Sequence, residues 1–493
     1  MQHYEKVFSA VKKFVDANLV DFGEKEGKGF YVDLDCRALY KEDIEKIQKE
    51  LDKDLILITS FSSSFSKRLN KATQRIYYKI FNSEEEREKY VKEIEEAKRR
   101  DHRFLGPQLD LFHFEEEIIG SGLPLFHFNG AIIRNELIKF IREINEELGF
   151  QEVFTPHLSK AELWKISGHY EKYREKMFLW KDGEEEYGLK AMNCPMHLMI
   201  FKFKVRSYRD LPFRIAEFAT VYRKEQSGEL HGLSRVWSIT QDDHHVILTL
   251  DQLKNEMKRI IEKCLYVYEK FNLKDVKIKL STRPDEFIGS IEDWNFAEEK
   301  LKEILEEMNI NYEIKEKEGA FYGPKIDFDA KDALGRYWQL TTVQLDFNLP
   351  KRFEITYVDK DGKRKIPVMI HFAILGSIER FMSLIIEHFG GRFPTWLAPI
   401  QVAILPLSEK YVEESLNLLN ELKEKKVRVK VLEEGTIEYR VREAEIQKIP
   451  YIVVIGKKEI EENTLTIRKE GKLFKMKKDE FIFNLLKEIV NRE

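Results

Sequence analysis

SITQDDHHVIL, residues 238–248, sets two carboxylates and two imidazoles side by side in a run of β-branched and apolar residues. Such a run reads as a strand, and a strand must divide the four, because successive side chains point to opposite faces. Ile239, Gln241, Asp243, His245 and Ile247 then share one face, and Thr240, Asp242, His244 and Val246 the other. One His and one Asp do not make a metal site, so chemistry on either face needs residues from other segments.

Two segments offer them: LKAMNCPMHL carries Cys194, and the apolar strand KIPVMIHFAIL carries His371. Cys194, His245 and His371 would give one sulfur and two nitrogens with a fourth position open, the donor pattern of a zinc centre that binds substrate directly. Each of the three, taken alone, is more often a packed core residue.

Arginines form a second theme. FRIAEFATVYRKEQSGELHGLSRVWSI reads as strand, loop, strand, with Arg223 and Glu225 on one face of the first arm; ILGSIERFMSLIIEHF is a Gly-preceded helix carrying Arg380. Such arginines can clamp phosphates and stack on a base, or simply form surface ion pairs. No phosphate loop competes with them: GEKEGKG has three residues between Gly23 and Gly27, where the motif needs four, and Gly29 stands in place of Ser/Thr. KMKKDE near the C-terminus has no accompanying HxGH and is set aside.

The 493 residues have room for two to four domains. Residues 1–104 read as a small mixed region: a helix in VFSAVKKFVDANL, a strand in GKGFYVDLD, a helix in KEDIEKIQKELDK, a loop in FSSSFSKRLN, and a charged connecting helix capped by Asn82 or Ser83. Residues 105–397 gather the aromatics; eleven of the twelve histidines lie between His102 and His388. The chemistry is therefore expected there. Residues 398–493 alternate strands with helices, predicting a small α/β domain with a mostly parallel sheet. A net charge of -4 excludes a uniformly basic protein, so nucleic acid could be met only through local patches. Three cysteines make no disulfide framework, the N-terminus is too charged for a signal peptide, and no apolar run approaches the ~18 residues of a membrane helix. A cytoplasmic protein with no membrane contact is expected.

Taken together and in order, SGHYEKY, MNCPMH, FRIAEFATVYRKEQSGELHGLSRV, TQDDHH, STRP, EGAFYGPKIDF, WQLTTVQLDF, VMIHFAILGSIERF and FPTWLAP make residues 80–493 resemble the threonyl-tRNA synthetases. The resemblance implies a class II catalytic domain, an antiparallel sheet flanked by helices, followed by an α/β anticodon-binding domain. It implies activation of L-threonine with ATP and transfer to tRNA(Thr). Cys194, His245 and His371 match the family's zinc ligands, one ion per subunit, and Mg2+ would accompany ATP. Asp243, Tyr322, Gln241 and Gln344 match the threonine pocket. Arg223 matches the motif 2 arginine on the α-phosphate, Glu225 the residue on the adenine amino group, Arg235 that on the γ-phosphate, and Arg380 that on the adenine ring and phosphates. Lys325 would add a nearby positive charge. His169 matches the residue that helps deprotonate the terminal ribose hydroxyl of tRNA. Pro156 matches the motif 1 proline, implying a homodimer; Arg442, Glu459 and Arg468 fall where anticodon bases are met.

The sequence departs from that pattern at Met196 (Gly is usual), Trp237 (Arg), His244 (Ala) and Phe372 (Arg). Residues 1–100 contain only His3 and Cys36 of the HxxxH and CxxxH residues that hydrolyse misacylated serine in many members. The N-terminal region then resembles a stripped remnant, as in short archaeal synthetases, and a separate trans-editing protein is expected. Prolyl and glycyl synthetases share the architecture but have no place for the Cys194, His245, His371 set, and a zinc-bearing seryl enzyme uses different ligands. A regulatory paralogue would ordinarily have lost Arg223, Arg235 and Arg380.

Overall fold

The computed structural model describes residues 2–25, 28–66 and 70–493. Glu26 and Gly27 of GEKEGKG, and Lys67, Arg68 and Leu69 of FSSSFSKRLN, lie outside the described residues. The chain divides into two compact units, Met1–Lys98 and Arg99–Glu493.

In the first unit, helices α1 (His3–Lys12) and α2 (Lys41–Leu51) cover a four-stranded antiparallel sheet of β1 (Ala17–Lys25), β2 (Gly29–Cys36), β3 (Ile56–Ser66) and β4 (Lys71–Ile80), in the order β1-β2-β4-β3. Val7, Val11, Val32, Leu34, Ile47 and Ile76 fill the layer between. The Ser-rich stretch FSSSFS, expected as a loop, is the second half of β3, paired residue by residue with β4. Main-chain pairing with β4 prevailed over the turn preference of serine. Helix α3 (Glu84–Arg100) begins where the Ser83 hydroxyl accepts the Glu86 N–H at 3.2 Å, and none of its side chains is buried.

The second unit opens with α4 (His102–Gln108) and α5 (Phe128–Leu148), the latter ended by Gly149 in the left-handed region. An eight-stranded sheet follows: β5 (Gln151–Glu152), β6 (Phe213–Tyr222), β7 (Ser238–Leu248), β8 (Val276–Ser281), β9 (Tyr312–Lys315), β10 (Lys325–Lys331), β11 (Tyr337–Asp346) and β12 (Val368–Ser377). Its order is β9-β8-β10-β11-β12-β7-β6-β5, antiparallel except at the two edges. Helix α6 (Cys194–Lys202) precedes β6; α7 (Leu250–Lys270), α8 (Ile291–Glu307) and α9 (Ile378–Phe389) connect or follow the strands. Ile141, Met257, Ile260, Leu301, Phe381 and Ile385 from the helices pack on Val246, Phe328, Val343 and Ile370 of the sheet. Each such buried side chain contributes about 1.5–3 kcal/mol. No helix among the described residues is long and apolar enough to cross a membrane.

The C-terminal segment adds β13 (Val402–Pro406), α10 (Val412–Glu424), β14 (Val429–Val431), α11 (Ile437–Ile446), β15 (Tyr451–Ile455), β16 (Thr464–Lys469), β17 (Lys472–Lys477) and α12 (Lys478–Asn491). The sheet runs β14-β13-β15-β16-β17. It is mixed rather than mostly parallel: β14, β13 and β15 are parallel, whereas β16 and β17 return antiparallel. The short helix Lys457–Glu461 turns the chain from β15 into β16, and a hairpin closed by Glu470 and Gly471, both with positive φ, turns β16 into β17.

Candidate active site

Register places the chemistry. On three adjacent strands Gln344, His371 and His245 stand directly opposite one another, so one row across β11, β12 and β7 carries all three. Cys194 arrives from the first turn of α6. The thiol and the two imidazoles are buried, and each offers a ligand atom within 4.8 Å of the others. Their donors are one sulfur and two nitrogens, a set suited to zinc. His371 Nε2 is 2.9 Å from Asp346 Oδ2, which leaves Nδ1 free to ligate. Burial pushes the Cys194 thiol well above its ordinary range, so a bound cation is what would hold it as thiolate. The residues therefore fit the metal.

These residues line a cavity of about 410 Å³ together with Gln241, Asp243, Tyr322 and Gln344. The alternation of β7 holds: Gln241, Asp243 and His245 face this cavity. Asp242 turns away and accepts backbone N–H groups of Ile374, Leu375 and Gly376 at 2.8–2.9 Å. Asn193 Nδ2 donates to Asp243 Oδ2 at 2.8 Å, and Tyr322 donates its hydroxyl to Gln344 Oε1. Asn193 and Asp346 were not among the residues singled out from the sequence; both act through another side chain, and nothing in their local pattern marks them.

A second cavity, about 360 Å³, is lined by Arg223, Glu225, Arg235, Gln241, Gly376 and Arg380. Arg223, Gln241, Leu340 and Gly376 belong to both linings. The β6 strand ends at Tyr222; Arg223 adds one further backbone bond across the hairpin, to the Trp237 carbonyl at 2.9 Å, and Glu225 lies in the loop beyond. Glu225 is held by Lys176 at 2.9 Å and Arg235 at 3.5 Å. Arg380 is reached through the first turn of α9, whose cap is the Ser377 hydroxyl accepting the Arg380 N–H. Burial lowers the Arg380 guanidinium, which has no carboxylate partner among the described residues.

The loop between β6 and β7 is seated on His102. The ring's Nε2 accepts the Leu233 N–H at 3.1 Å, and Nδ1 meets Glu387 Oε1 of α9 at 2.5 Å. Gly232 has φ +50, and a Cβ there would come within 2.2 Å of His102 Nε2. Arg336 completes the cluster on Glu387.

The other expected residues stand as follows. His169 is buried, contacts Phe321 and Tyr322 of the first cavity, and donates or accepts through Nδ1 with Ser167 at 2.8 Å; its Nε2 has no partner among the described residues. Burial drives its imidazole down to about 3. Lys325 lines neither cavity and pairs with Asp327 at 2.7 Å. Arg442 is exposed on α11; Arg468 of β16 pairs with Glu445 of the same helix at 2.7 Å; Glu459 accepts from Thr466 of β16 at 2.8 Å. Glu459 and Arg468 thus lie on one side of β16, since Thr466 and Arg468 are two residues apart on the strand.

Two of the four departures are partners. His244 stacks on Phe372, centroids 4.5 Å apart and planes 10° apart, with Nε2 on Asn145 Oδ1 at 2.7 Å. Burial drives His244 down to about 3 from 6.5. The folded state thus holds the neutral ring, whereas the unfolded chain takes up a proton below pH 6.5. Stability is full above 6.5 and is lost as pH falls toward 3. From pH 7 to 5 the loss through His244 is about 2 kcal/mol. Urea unfolding of the wild type and His244→Ala at both pH values is expected to show a drop smaller by that amount in the variant. Trp237, a third departure, donates Nε1–H to the Glu225 carbonyl at 2.8 Å and so braces the second cavity. Met196 packs with Trp164, Met177 and Ala191.

Residues 172–389 match the family described as tRNA synthetase class II core domain (G, H, P, S and T), and residues 401–488 match the anticodon binding domain. A threonine–tRNA ligase catalytic subunit of Sulfurisphaera tokodaii is 52% identical over 418 residues, 84% of this chain and 77% of that protein. The Sulfolobus acidocaldarius counterpart is 49% identical over 419 residues, 84% and 76% of the two. Among solved structures, a threonyl-tRNA synthetase RNA binding domain from Cryptosporidium parvum superposes with TM-score 0.75 at 39% identity, covering 78% of this chain and 97% of that one. A putative threonyl-tRNA synthetase, ThrRS-1, from Aeropyrum pernix gives 0.70 at 31%, covering 79% and 97%.

Proposed function

The chain belongs to the threonyl-tRNA synthetase family, and from that premise we propose that it activates L-threonine with ATP and passes it to tRNA(Thr), selecting threonine at a zinc centre. The observation that carries this reading is the shared wall: the three-ligand cavity and the arginine-lined cavity meet at Arg223, Gln241, Leu340 and Gly376.

In the first step a threonine carboxylate oxygen bonds to the α-phosphorus of ATP as the bond to the bridging oxygen breaks and pyrophosphate leaves. Arg223, at the junction, neutralises charge developing on the α-phosphate. Arg235 and Arg380 hold the outer phosphates and the base, Glu225 accepts from the adenine amino group, and Mg2+ comes with the nucleotide. Asp243, oriented by Asn193, takes the amino group. Tyr322 and Gln344 close the far wall. Zinc held by Cys194, His245 and His371 would supply open coordination for an amine and a β-hydroxyl together, and so select an amino acid bearing both. In the second step the terminal ribose hydroxyl of tRNA attacks the carbonyl carbon and AMP leaves. His169, neutral at pH 7, could take that proton through Nε2. Lys325 would add field from a distance.

Arg442, Glu459 and Arg468 are assigned to the anticodon, in a cytoplasmic enzyme. A homodimer through the Pro156 segment is supported by the exposed Phe128 and Phe154, 87% and 83% accessible. Absence of serine editing in this chain is supported by its N-terminal unit. His3 there is tied to Tyr78, and Cys36 is that unit's one thiol. A separate protein would then clear Ser-tRNA(Thr).

Amino-acid-dependent ATP–pyrophosphate exchange tests the proposal. Threonine should give strong exchange and valine none. Serine lacks one methyl, worth only about 1–3 kcal/mol of discrimination, and should give weaker but measurable exchange. Exchange with valine equal to that with threonine would sink the zinc-hydroxyl pocket; none with threonine would sink the ligase reading.

A further inference from the structure

His197 is buried on α6, one turn beyond Cys194, and nothing in the reaction above uses it. Its ring meets that of His245 edge-on, centroids 4.8 Å apart. The contact runs from Nδ1 to Nδ1 at 2.7 Å, so one nitrogen carries the proton and the other the lone pair. Glu217 decides which. Its Oε2 lies 2.9 Å from His197 Nε2, while Oε1 accepts the Thr155 N–H at 2.7 Å. Lys190, buried beside it, donates to the Thr155 hydroxyl at 2.9 Å and approaches Glu217 Oε1 at 3.4 Å. A carboxylate in this company accepts only. His197 Nε2 therefore carries a proton, its Nδ1 is the acceptor, and His245 Nδ1–H must donate. That leaves the lone pair of His245 on Nε2, the nitrogen 3.9 Å from Asp243 Oδ1, on the cavity side.

We infer that His197 and Glu217 are positioning residues that fix the tautomer of His245 through two successive hydrogen bonds, so that Nε2 is presented bare to the metal. The inference rests on the zinc reading above. It also explains why His245 and His371 are supported differently. Asp346 reaches His371 directly, and Asp243 already stands in the cavity wall with the Cys194 sulfur. A carboxylate placed directly on His245 would add another negative charge to that wall, where like charges resist ionisation together. The imidazole spacer moves the charge back to Glu217, between Lys190 and the Thr155 amide. Thr155 immediately precedes Pro156, so the far end of this relay is the motif 1 segment.

The test measures affinity for Zn2+ by chelator competition, and the absorption spectrum of the Co2+-substituted protein, on the full chain. His197→Leu removes the acceptor and should weaken Zn2+ binding about 10–100-fold, with altered Co2+ ligand-field bands. His197→Asn returns an oxygen acceptor near Nδ1 and should recover most of that loss. Glu217→Gln has one acceptor oxygen where two are needed, and should loosen binding without changing side-chain size, covering the case in which His197→Leu fails to fold. Wild-type affinity and spectrum in both His197→Leu and Glu217→Gln would overturn the inference, as would His197→Asn binding as weakly as His197→Leu. A wild-type chain that binds no Zn2+ would instead overturn the zinc reading, and this inference with it.

Discussion

Cys194→Ser is expected to lose bound zinc, from one ion per chain to near none, and to lower threonine-dependent pyrophosphate exchange by about 10³-fold or more. Serine is nearly isosteric with cysteine, so the chain should stay folded: Cys194 lies among Leu198, Phe201 and Leu349 in a small cluster that tolerates the change. What is lost is the one soft donor. Two imidazoles alone do not make a closed zinc site, and a pocket without the ion has nothing that discriminates threonine from valine. The residual exchange should therefore be not only slow but unselective between these two amino acids. Metal analysis alongside exchange with threonine and valine checks both parts. Exchange above a tenth of the wild-type rate in a metal-free variant would show that the cavity recognises threonine without an ion.

Arg223→Gln is expected to lower kcat of adenylate formation by about 10²–10³-fold while leaving threonine affinity and zinc content close to wild type. The guanidinium lines both cavities and has no carboxylate partner among the described residues; it meets Met192 Sδ at 3.3 Å and the Tyr173 ring. Its charge is thus available to the anion that forms between the two substrates. Pre-steady-state adenylate formation separates the two effects. A loss confined to KM for ATP would place Arg223 in ground-state binding alone.

The shared face of Gln241, Asp243 and His245 was legible from the sequence because strand alternation is rigid: once 238–248 is a strand, Asp243 and His245 cannot face opposite ways. What the sequence could not supply was register. That His371 pairs with His245, and Gln344 with His371, depends on strands more than a hundred residues apart in sequence for the first pair. The resemblance carried those residues across that gap; the residues themselves did not. Arg223 and Glu225 were placed on a strand arm because TVYRKE continues the alternating pattern; Arg223 still bonds across to Trp237, but Glu225 lies where the chain has turned into a loop. FSSSFS failed in the opposite direction, its turn-forming serines overridden by pairing with β4. Asn193, Asp346, His197 and Glu217 act one contact back from the cavity, where no spacing rule points.

The seat of the 232–233 turn on His102 bears on where the catalytic half of this chain can be said to start. The compact units part at Lys98, and the shift in composition comes at about residue 105. A chain trimmed to that shift would retain every side chain facing the two cavities. It would also leave Glu387 and the Leu233 amide without the imidazole that joins them. The loop bearing Arg235 would then lose its seat at Leu233 and keep the bonds from Lys176 to Glu225 and from Arg380 to the Ser234 carbonyl. The boundary of the second unit is thus marked by a single ring lodged under the loop between β6 and β7, and a cut made by composition alone would fall on the wrong side of it.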